Sequence, residues 1–524
     1  MGQDPGDSSP PPAGDDISAR RQLQDGAIRG ATWTAIHTVV SLPVAFLANL
    51  VVARVLGVAD YGRLAFLTAL MEVATGIITL GFGVALVQFG SKSHAAGRHD
   101  ELRRMLSAAQ GFRLLVAAPL LTLLVLVVAD VEPLMMVMAV VFGILVPSAF
   151  DGATACLWIE NKSAAGAKIA LATALVTQLA VVVVALVVGT ADSVWATRLV
   201  VAGAGVTLAL FPISASYRRA VLRPRWPSGL PAGFWRFTIP FAAASVVGGL
   251  VMSRSEIFIM QWLADPAALG LFALAFGIAG HVFAPAQAFI GPLVPAISGL
   301  HEVDTDAVAP AFTRTLRAGS TVVALLMASA LAALALLVPV LYGEEFTDAS
   351  PLVLALGIAS GLLVVGSPVA AFVSARLSAW ELLRANLVAL VLDVAVAVAL
   401  IPVWGAWGAV VANVVGAGSR LVLLMRREIS LLRLPWRTVA RESTPVGIGA
   451  IACVVAWVGA GALPWSPVAA AVAAAAVGVV VLVVLLRASG SGLTEADAVA
   501  VARGAPAPLR TPSAFLLRLL THRR

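Results

Sequence analysis

The chain reads as an all-α, polytopic membrane protein of about 14 transmembrane helices, arranged as two pseudo-symmetric six-helix lobes with an added C-terminal helix pair. Three observations predict this. Of 524 residues, 60% are hydrophobic and only 12% charged, and the mean hydropathy of +0.96 lies far outside the soluble range. The apolar residues gather into runs of roughly 20, the length a helix needs to cross the hydrocarbon core, and none keeps the alternation of a barrel strand. The third observation is a repeat. Setting Gly62 against Gly270 overlays two span–turn–span units, whose turns rhyme as Leu-Gly-x-Ala-Asp and Leu-Ala-Asp-Pro-Ala.

The elements follow in order. Residues 1–26 are polar and proline-rich and form a cytoplasmic tail, and the run after them is too long and lacks the cleavage site of a signal peptide, so it stays as an anchor. Spans are expected near 31–53, 64–88, 112–129, 134–155, 167–189 and 194–215, which make an N-lobe over 27–216. The stretch 217–234, with its prolines, glycines and arginines, reads as a linker. Spans near 235–257, 270–298, 318–341, 352–374, 385–402 and 406–425 make a C-lobe over 235–428. An extra, peripheral pair at 446–463 and 467–486 occupies 429–487, and 488–524 is a second cytoplasmic tail, its "PSAFLLRLLTHRR" either a short surface helix or a disordered basic end. A weaker overlay relates "VPSAFDGATACLWIENKS" from Val146 to "VGSPVAAFVSARLSAWEL" from Val365. Lobes of six spans enter the bilayer in the same sense, a recurring plan among transporters.

Charge gives the orientation. Of the 35 lysines and arginines, all but Arg54, Arg63, Arg113, Arg198, Arg254 and Arg420 fall on one face when loops are assigned to alternate sides. That face is expected to be cytoplasmic, with both termini inside a cytoplasmic membrane. The opposite loops, such as "ADVEP", "GTADS" and "YGEEFTDAS", are short and acidic or neutral. A glycan polymerase or ligase would be expected to carry a larger outer domain. The net charge of +7 then reflects topology and an anionic lipid surface, with no need of nucleic acid. The two cysteines, Cys156 and Cys453, support neither a disulfide framework nor a metal cluster. No phosphate-binding glycine loop, zinc motif, nucleophile elbow or dinucleotide fingerprint appears, so no cofactor is expected and the chain reads as a transporter, not an enzyme.

The segments "VARVLGVADYGRLAFLTAL" with "GFGVALVQF", "MSRSEIFIMQWLADPAALGLFALAF", and "PVWGAWGAVVANVVG" at 402–416 resemble the polysaccharide flippases of the multidrug/oligosaccharidyl-lipid/polysaccharide exporter superfamily. The likeness covers about residues 25 to 430. It implies two lobes around a V-shaped cavity that opens alternately to either side, and a cargo of undecaprenyl-pyrophosphate-linked sugar. Glycosyltransferases and a polysaccharide polymerase are then implied partners. Glu256 stands where such flippases more often have aspartate.

A sugar headgroup crossing hydrocarbon would strand hydroxyls at about 4–8 kcal/mol each, so a polar path is needed. A phosphate calls for arginine, whose planar fork binds two oxygens at once. Arg54, Arg198 and Arg254 are the candidates for the pyrophosphate, against a reading in which they only snorkel to the outer interface. Arg113 and Arg420 are expected to snorkel to the cytoplasmic end, and Arg63 belongs to a turn. Glu72, Glu256 and Asp393 are candidate acids for proton or cation coupling; the competing reading is a structural pair with an arginine, or an acid kept neutral. His281 and His37 could titrate or simply hydrogen-bond within their helices. Pro285, Gly291, Pro292 and Pro295 mark a candidate hinge, with a static kink as the alternative. The same-fold alternatives in function are a lipid II flippase and a multidrug or cation antiporter; a non-transporting assembly scaffold belongs to a different class.

Overall fold

The computed structural model describes residues 13–79, 82–228, 230–253, 255–288, 297, 300, 303–375, 379–504 and 520–521. In chain order the helices are α1 (Ala13–Thr79), α2 (Phe82–Ala95), α3 (His99–Phe112), α4 (Ala118–Val128), α5 (Pro133–Met138), α6 (Val146–Ile159), α7 (Ser163–Val187), α8 (Ala191–Thr207) and α9 (Ala215–Val221). They continue as α10 (Phe234–Ser253), α11 (Ser255–Leu263), α12 (Pro266–Ala288), α13 (Val308–Leu326), α14 (Ala332–Tyr342), α15 (Ala349–Val364) and α16 (Ser367–Ala375). The last are α17 (Ala379–Trp404), α18 (Ala406–Leu431), α19 (Trp436–Gly461), α20 (Pro467–Ala488) and α21 (Glu495–Gly504). Wider π-turns at Arg113–Ala117, Ala139–Leu145 and Met327–Leu331 join α3 to α4, α5 to α6 and α13 to α14 into continuous rods.

Among the described residues, 13 helical segments are long and apolar enough to cross a membrane. The first of them is 45 residues long, from Thr32 to Gly76. It holds two spans, because Gly57 adopts φ 72°, ψ 177°, a conformation closed to side-chain-bearing residues without strain. The side chains prove the reversal. Tyr61 OH donates to Asn49 Oδ1 at 3.1 Å, whereas twelve residues of straight helix would separate the two positions by about 18 Å. The legs therefore fold back on each other, and the expected span–turn–span unit is present, with the span count agreeing with about 14.

The chain gathers into two compact units. The first comprises the described residues of Met1–Ala45, Gly81–Ala180 and Ala196–Thr238; the second, those of Phe46–Leu80, Val181–Trp195 and Ile239–Arg524. In the first, Ser107 Oγ donates to Ala220 O at 2.9 Å and Arg225 N to Ser107 O at 2.9 Å, fixing α3 against α9 and the chain that follows it.

Close approach of small residues organises the second unit, as expected where helices pack without a hydrophobic driving force. Gly62 and Gly270, the two residues that anchor the sequence repeat, pack against each other: a Cβ on Gly62 would stand 2.8 Å from both Gly270 N and Pro266 O. Arg63 holds Asp192 through Nε at 2.7 Å and Nη2 at 3.0 Å, tying the second leg of α1 to the start of α8. Trp195, fully buried, donates Nε1 to Leu67 O at 3.0 Å. The extra pair α19–α20 shares a core with α13 and the π-turn after it, built from Ala324, Ala328, Ile448, Ala452, Leu482, Leu486 and Leu520.

Beyond α20 the chain is not a free tail. Thr494 and Asp497 cap α21 reciprocally, Thr494 Oγ1 donating to Asp497 Oδ2 at 2.7 Å and Asp497 N to Thr494 Oγ1 at 3.2 Å. Asp497 also accepts from Arg314 Nε at 3.0 Å and Arg317 Nη1 at 2.9 Å, while Arg317 Nε donates to Glu442. Burial works to raise the Asp497 carboxyl, but Thr494, Arg314 and Arg317 together hold it below the usual aspartate range. Most of the proposed surface helix at 512–524 lies outside the described residues.

Candidate functional site: a buried acid pair on α11 and α17

In the second unit, three helices bring polar side chains into a buried interior. Glu256, in the first turn of α11, and Asp393, midway along α17, are both 0% exposed. Their carboxyls meet around one hydroxyl, that of Ser255. Ser255 Oγ donates to Asp393 Oδ2 and lies 3.3 Å from Glu256 Oε2, and Asn413 on α18 donates Nδ2 to Glu256 Oε1 at 2.7 Å. Asp393 Oδ1 is buried and has no hydrogen-bond partner among the described residues. It faces Gly416 of α18, where an added Cβ would lie 2.5 Å from Asp393 Cβ and 3.1 Å from Oδ1. Glycine at that point gives the acid its room.

Two carboxyls buried against one hydroxyl repel each other when both are ionised, and a proton on either relieves that repulsion. An ionised carboxylate at the middle of a span costs about 2.5–3.5 kcal/mol on insertion scales, so a proton on either acid lowers the cost of the cluster. Sequence reading named both acids but not their pairing, and left open a coupling role, a structural pair with an arginine, or an acid kept neutral. The partner is another acid because residues 137 apart in sequence meet through the packing of α11 on α17, a contact no local pattern reports. Ser255 and Asn413 were missed altogether; an asparagine inside "VVANVVG" was the available signal.

A second level of polar contacts sits on the same helices. Arg420 of α18 donates Nε to Asn386 Oδ1 at 2.6 Å, and Asn386 of α17 donates Nδ2 to Ala244 O of α10 at 2.8 Å. Arg420 was expected to snorkel and is instead fastened inside the bundle.

The remaining sequence candidates have these surroundings. Arg54 is exposed on α1 and donates Nη1 to Val340 O and Leu341 O, each at 3.4 Å, at the C-terminal end of α14, where carbonyls are left without helical partners. Arg198 is half-buried on α8 in the first unit, and Glu72 is exposed on the second leg of α1. Arg254, Gly291, Pro292 and Pro295 lie outside the described residues. Pro285 is inside α12, three residues from its end. His281 Nδ1 sits 2.7 Å from Gly277 O of its own helix, so that nitrogen carries the hydrogen, and its ring meets Phe46 edge-on at 5.6 Å.

In the first unit Arg113 is also 0% exposed, not snorkelling. Nη1 donates to Gln110 Oε1 at 3.0 Å and Nη2 pairs with Asp151 at 2.9 Å. Truncating Asp151 would strand a buried cation at a cost of about 3–5 kcal/mol. At the end of α6, Glu160 accepts from Lys162 Nζ at 2.6 Å and Ser214 N at 3.1 Å. Burial tends to raise Glu160, yet the Lys162 and Ser214 contacts hold it below the ordinary glutamate value. Nearby, His94 and His99 place Nδ1 atoms 2.8 and 2.7 Å from Tyr217 OH, so the hydroxyl donates to one imidazole and accepts from the other. Among the described residues no group of three or more His, Cys, Asp and Glu side chains could hold a metal ion.

The architecture is that of a known class of membrane transporter. A solved lipid II flippase MurJ in an inward closed conformation superposes with a TM-score of 0.62 at 13% identity, covering 86% of this chain and 97% of that one. The Vibrio cholerae MATE transporter VcmN superposes at 0.52 and 15% identity, over 78% and 98% of the two chains. A multidrug resistance MATE transporter of the MOP superfamily, in an inward-facing conformation, gives 0.52 at 17% identity, over 74% and 95%. No curated protein matches the chain in sequence. The family described as "Polysaccharide biosynthesis protein" matches residues 51–351, more than half the chain. The chain belongs to that family, and the resemblance carried by its paired motifs holds.

Proposed function

We propose that the protein is a flippase that moves an undecaprenyl-pyrophosphate-linked sugar or oligosaccharide from the inner to the outer leaflet of the cytoplasmic membrane by alternating access. The family match over residues 51–351 carries this reading, since it selects glycan chemistry among the functions that share the fold. Arg54, Arg198 and Arg254 bind the pyrophosphate, and the Glu256–Asp393 pair couples transport by taking up and releasing a proton. Both termini face the cytoplasm, where the arginine-rich rim meets anionic lipid, and glycosyltransferases and a polymerase act before and after the translocation. An inside-negative potential assists, contributing about 2.3 kcal/mol per negative charge per 100 mV to outward passage.

The test is the leaflet distribution of lipid-linked glycan in cells carrying R54A with R254A. Accumulation in the inner leaflet supports the proposal. Unchanged glycan export would point to a scaffold, and intact export with lost drug resistance to an antiporter; either would end this reading.

A further inference from the structure

Arg420 is a cation held inside the packed helix pair α17–α18 to which the proposed transport cycle gives no task. Asn386 and Asp393 are seven residues apart on α17, as are Asn413 and Arg420 on α18. Seven residues are close to two turns, so each pair projects from one face of its helix. The two faces meet at two levels: Asn413 at Glu256 with Ser255 at Asp393, and Arg420 at Asn386. Helix rise separates the levels by about 10 Å.

Between the two levels the facing residues are small. Gly416, three beyond Asn413 and four before Arg420, lies on the same face of α18, and Ala389, three beyond Asn386, is 0% exposed on the facing side of α17. Asp393 Oδ1, a buried oxygen without a hydrogen-bond partner among the described residues, lies against Gly416, one turn before Arg420 on α18. Side chains on a helix lean toward its N-terminus, so Arg420 leans from its own level toward Gly416 and Asp393. A guanidinium that leaves Asn386 in that direction thus moves toward Asp393, whose Oδ1 has no hydrogen-bond partner among the described residues.

Other charges do not serve this role. On α12 the one ionisable residue is His281, engaged with Gly277 O of its own helix. Neither α15 nor α16 carries an ionisable residue; on α17 and α18 Glu381 is paired with Arg427, Arg384 and Arg426 are exposed, and the buried Glu428 is an acid eight residues beyond Arg420, while Arg236 sits in the first turn of α10, eight residues before Ala244. Arg254 adjoins the pair in sequence and is therefore included in the test below.

We infer that Arg420 is the internal counter-charge of the Glu256–Asp393 pair, moving from Asn386 to Asp393 Oδ1 when the pair's proton leaves and returning when it comes back. Arg420 touches no substrate; it is a positioning residue that lets a carboxylate pair ionise inside hydrocarbon. The inference rests on the coupling role given to the pair above.

The experiment is infrared spectroscopy of the full-length protein in lipid nanodiscs across a pH series, following the protonated-carboxyl C=O band that disappears in E256Q and D393N. A unit charge about 10 Å away at an effective dielectric constant near 20 moves such a titration by on the order of one pH unit. In R420Q the band is expected to survive to a pH higher by about that amount. R420K restores most of the wild-type profile, and R254Q leaves it in place. N386A, which removes the Asn386 contact of the guanidinium, is expected to move the profile the opposite way, and it carries the test should R420Q fail to give a monodisperse protein. A profile unmoved in R420Q and N386A, or moved by R254Q instead, overturns the inference and leaves the coupling role standing. Conversely, E256Q and D393N with undiminished glycan translocation would remove the coupling role while the spectroscopic result still decided the counter-charge.

Discussion

A methyl group added at Gly270 gives the sharpest test of how this bundle is held together. The Cβ of an alanine there would press on Val58 O and come within 3.0 Å of Val58 Cγ1, and on the facing leg of α1 Gly62 is hemmed by Gly270 N and Pro266 O at 2.8 Å. The first obstacle is backbone, which cannot rotate away, so the helices must separate. Overpacking of this kind costs about 1–3 kcal/mol. Alanine returns about 0.5–1 kcal/mol in helix propensity, leaving a net loss. Gly280, ten residues along the same helix, is the control, because nothing lies within 4 Å of its added Cβ. G280A therefore keeps the propensity gain without the clash. Thermal unfolding of detergent-purified protein, followed by tryptophan fluorescence, should rank G280A at or above wild type, wild type above G270A, and the G62A/G270A double variant lowest. If G270A melts with or above G280A, the close contact does not organise the unit and the packing argument fails.

Three further outcomes follow from the structure. Gly57 holds φ 72° and ψ 177° at the reversal of α1, so G57V should destabilise by about 1–3 kcal/mol and weaken the Tyr61–Asn49 contact, read as lost melting temperature and as increased cross-linking distance between cysteines placed on the two legs. Asp497 is held below the usual aspartate value, so the clasp of α21 on Arg314 and Arg317 is complete above pH about 3.9 and is lost as the pH falls from there through the lowered folded value. A spin label at A496C should be immobile at neutral pH, mobile in strong acid, and mobile throughout in D497N; equal mobility in all three would contradict the ion cluster. D151A should cost about 3–5 kcal/mol by stranding Arg113, and the D151A/R113M double variant should recover most of it, since the penalty belongs to the unpaired cation; no recovery would count against that account.

The sequence by itself determined the number and length of the spans, because a helix crossing hydrocarbon must satisfy its backbone internally and stay apolar for roughly 20 residues, a requirement written locally in composition. It also marked Gly62 and Gly270 as equivalent points of a repeat, and named Glu256 and Asp393 as acids out of place in an apolar run. What it could not carry was partnership. The meeting of Gly62 with Gly270, of Glu256 with Asp393, of Asn386 with Arg420 and of Asp497 with Arg317 depends on which helix faces which, and in a span that is apolar on every side no amphipathic stripe announces the inward face. The same absence explains Arg113 and Arg420. Distance from a span end suggested snorkelling, but a long cationic side chain goes inward when a carboxylate or a carboxamide waits there, and only the tertiary packing supplies Asp151 and Asn386.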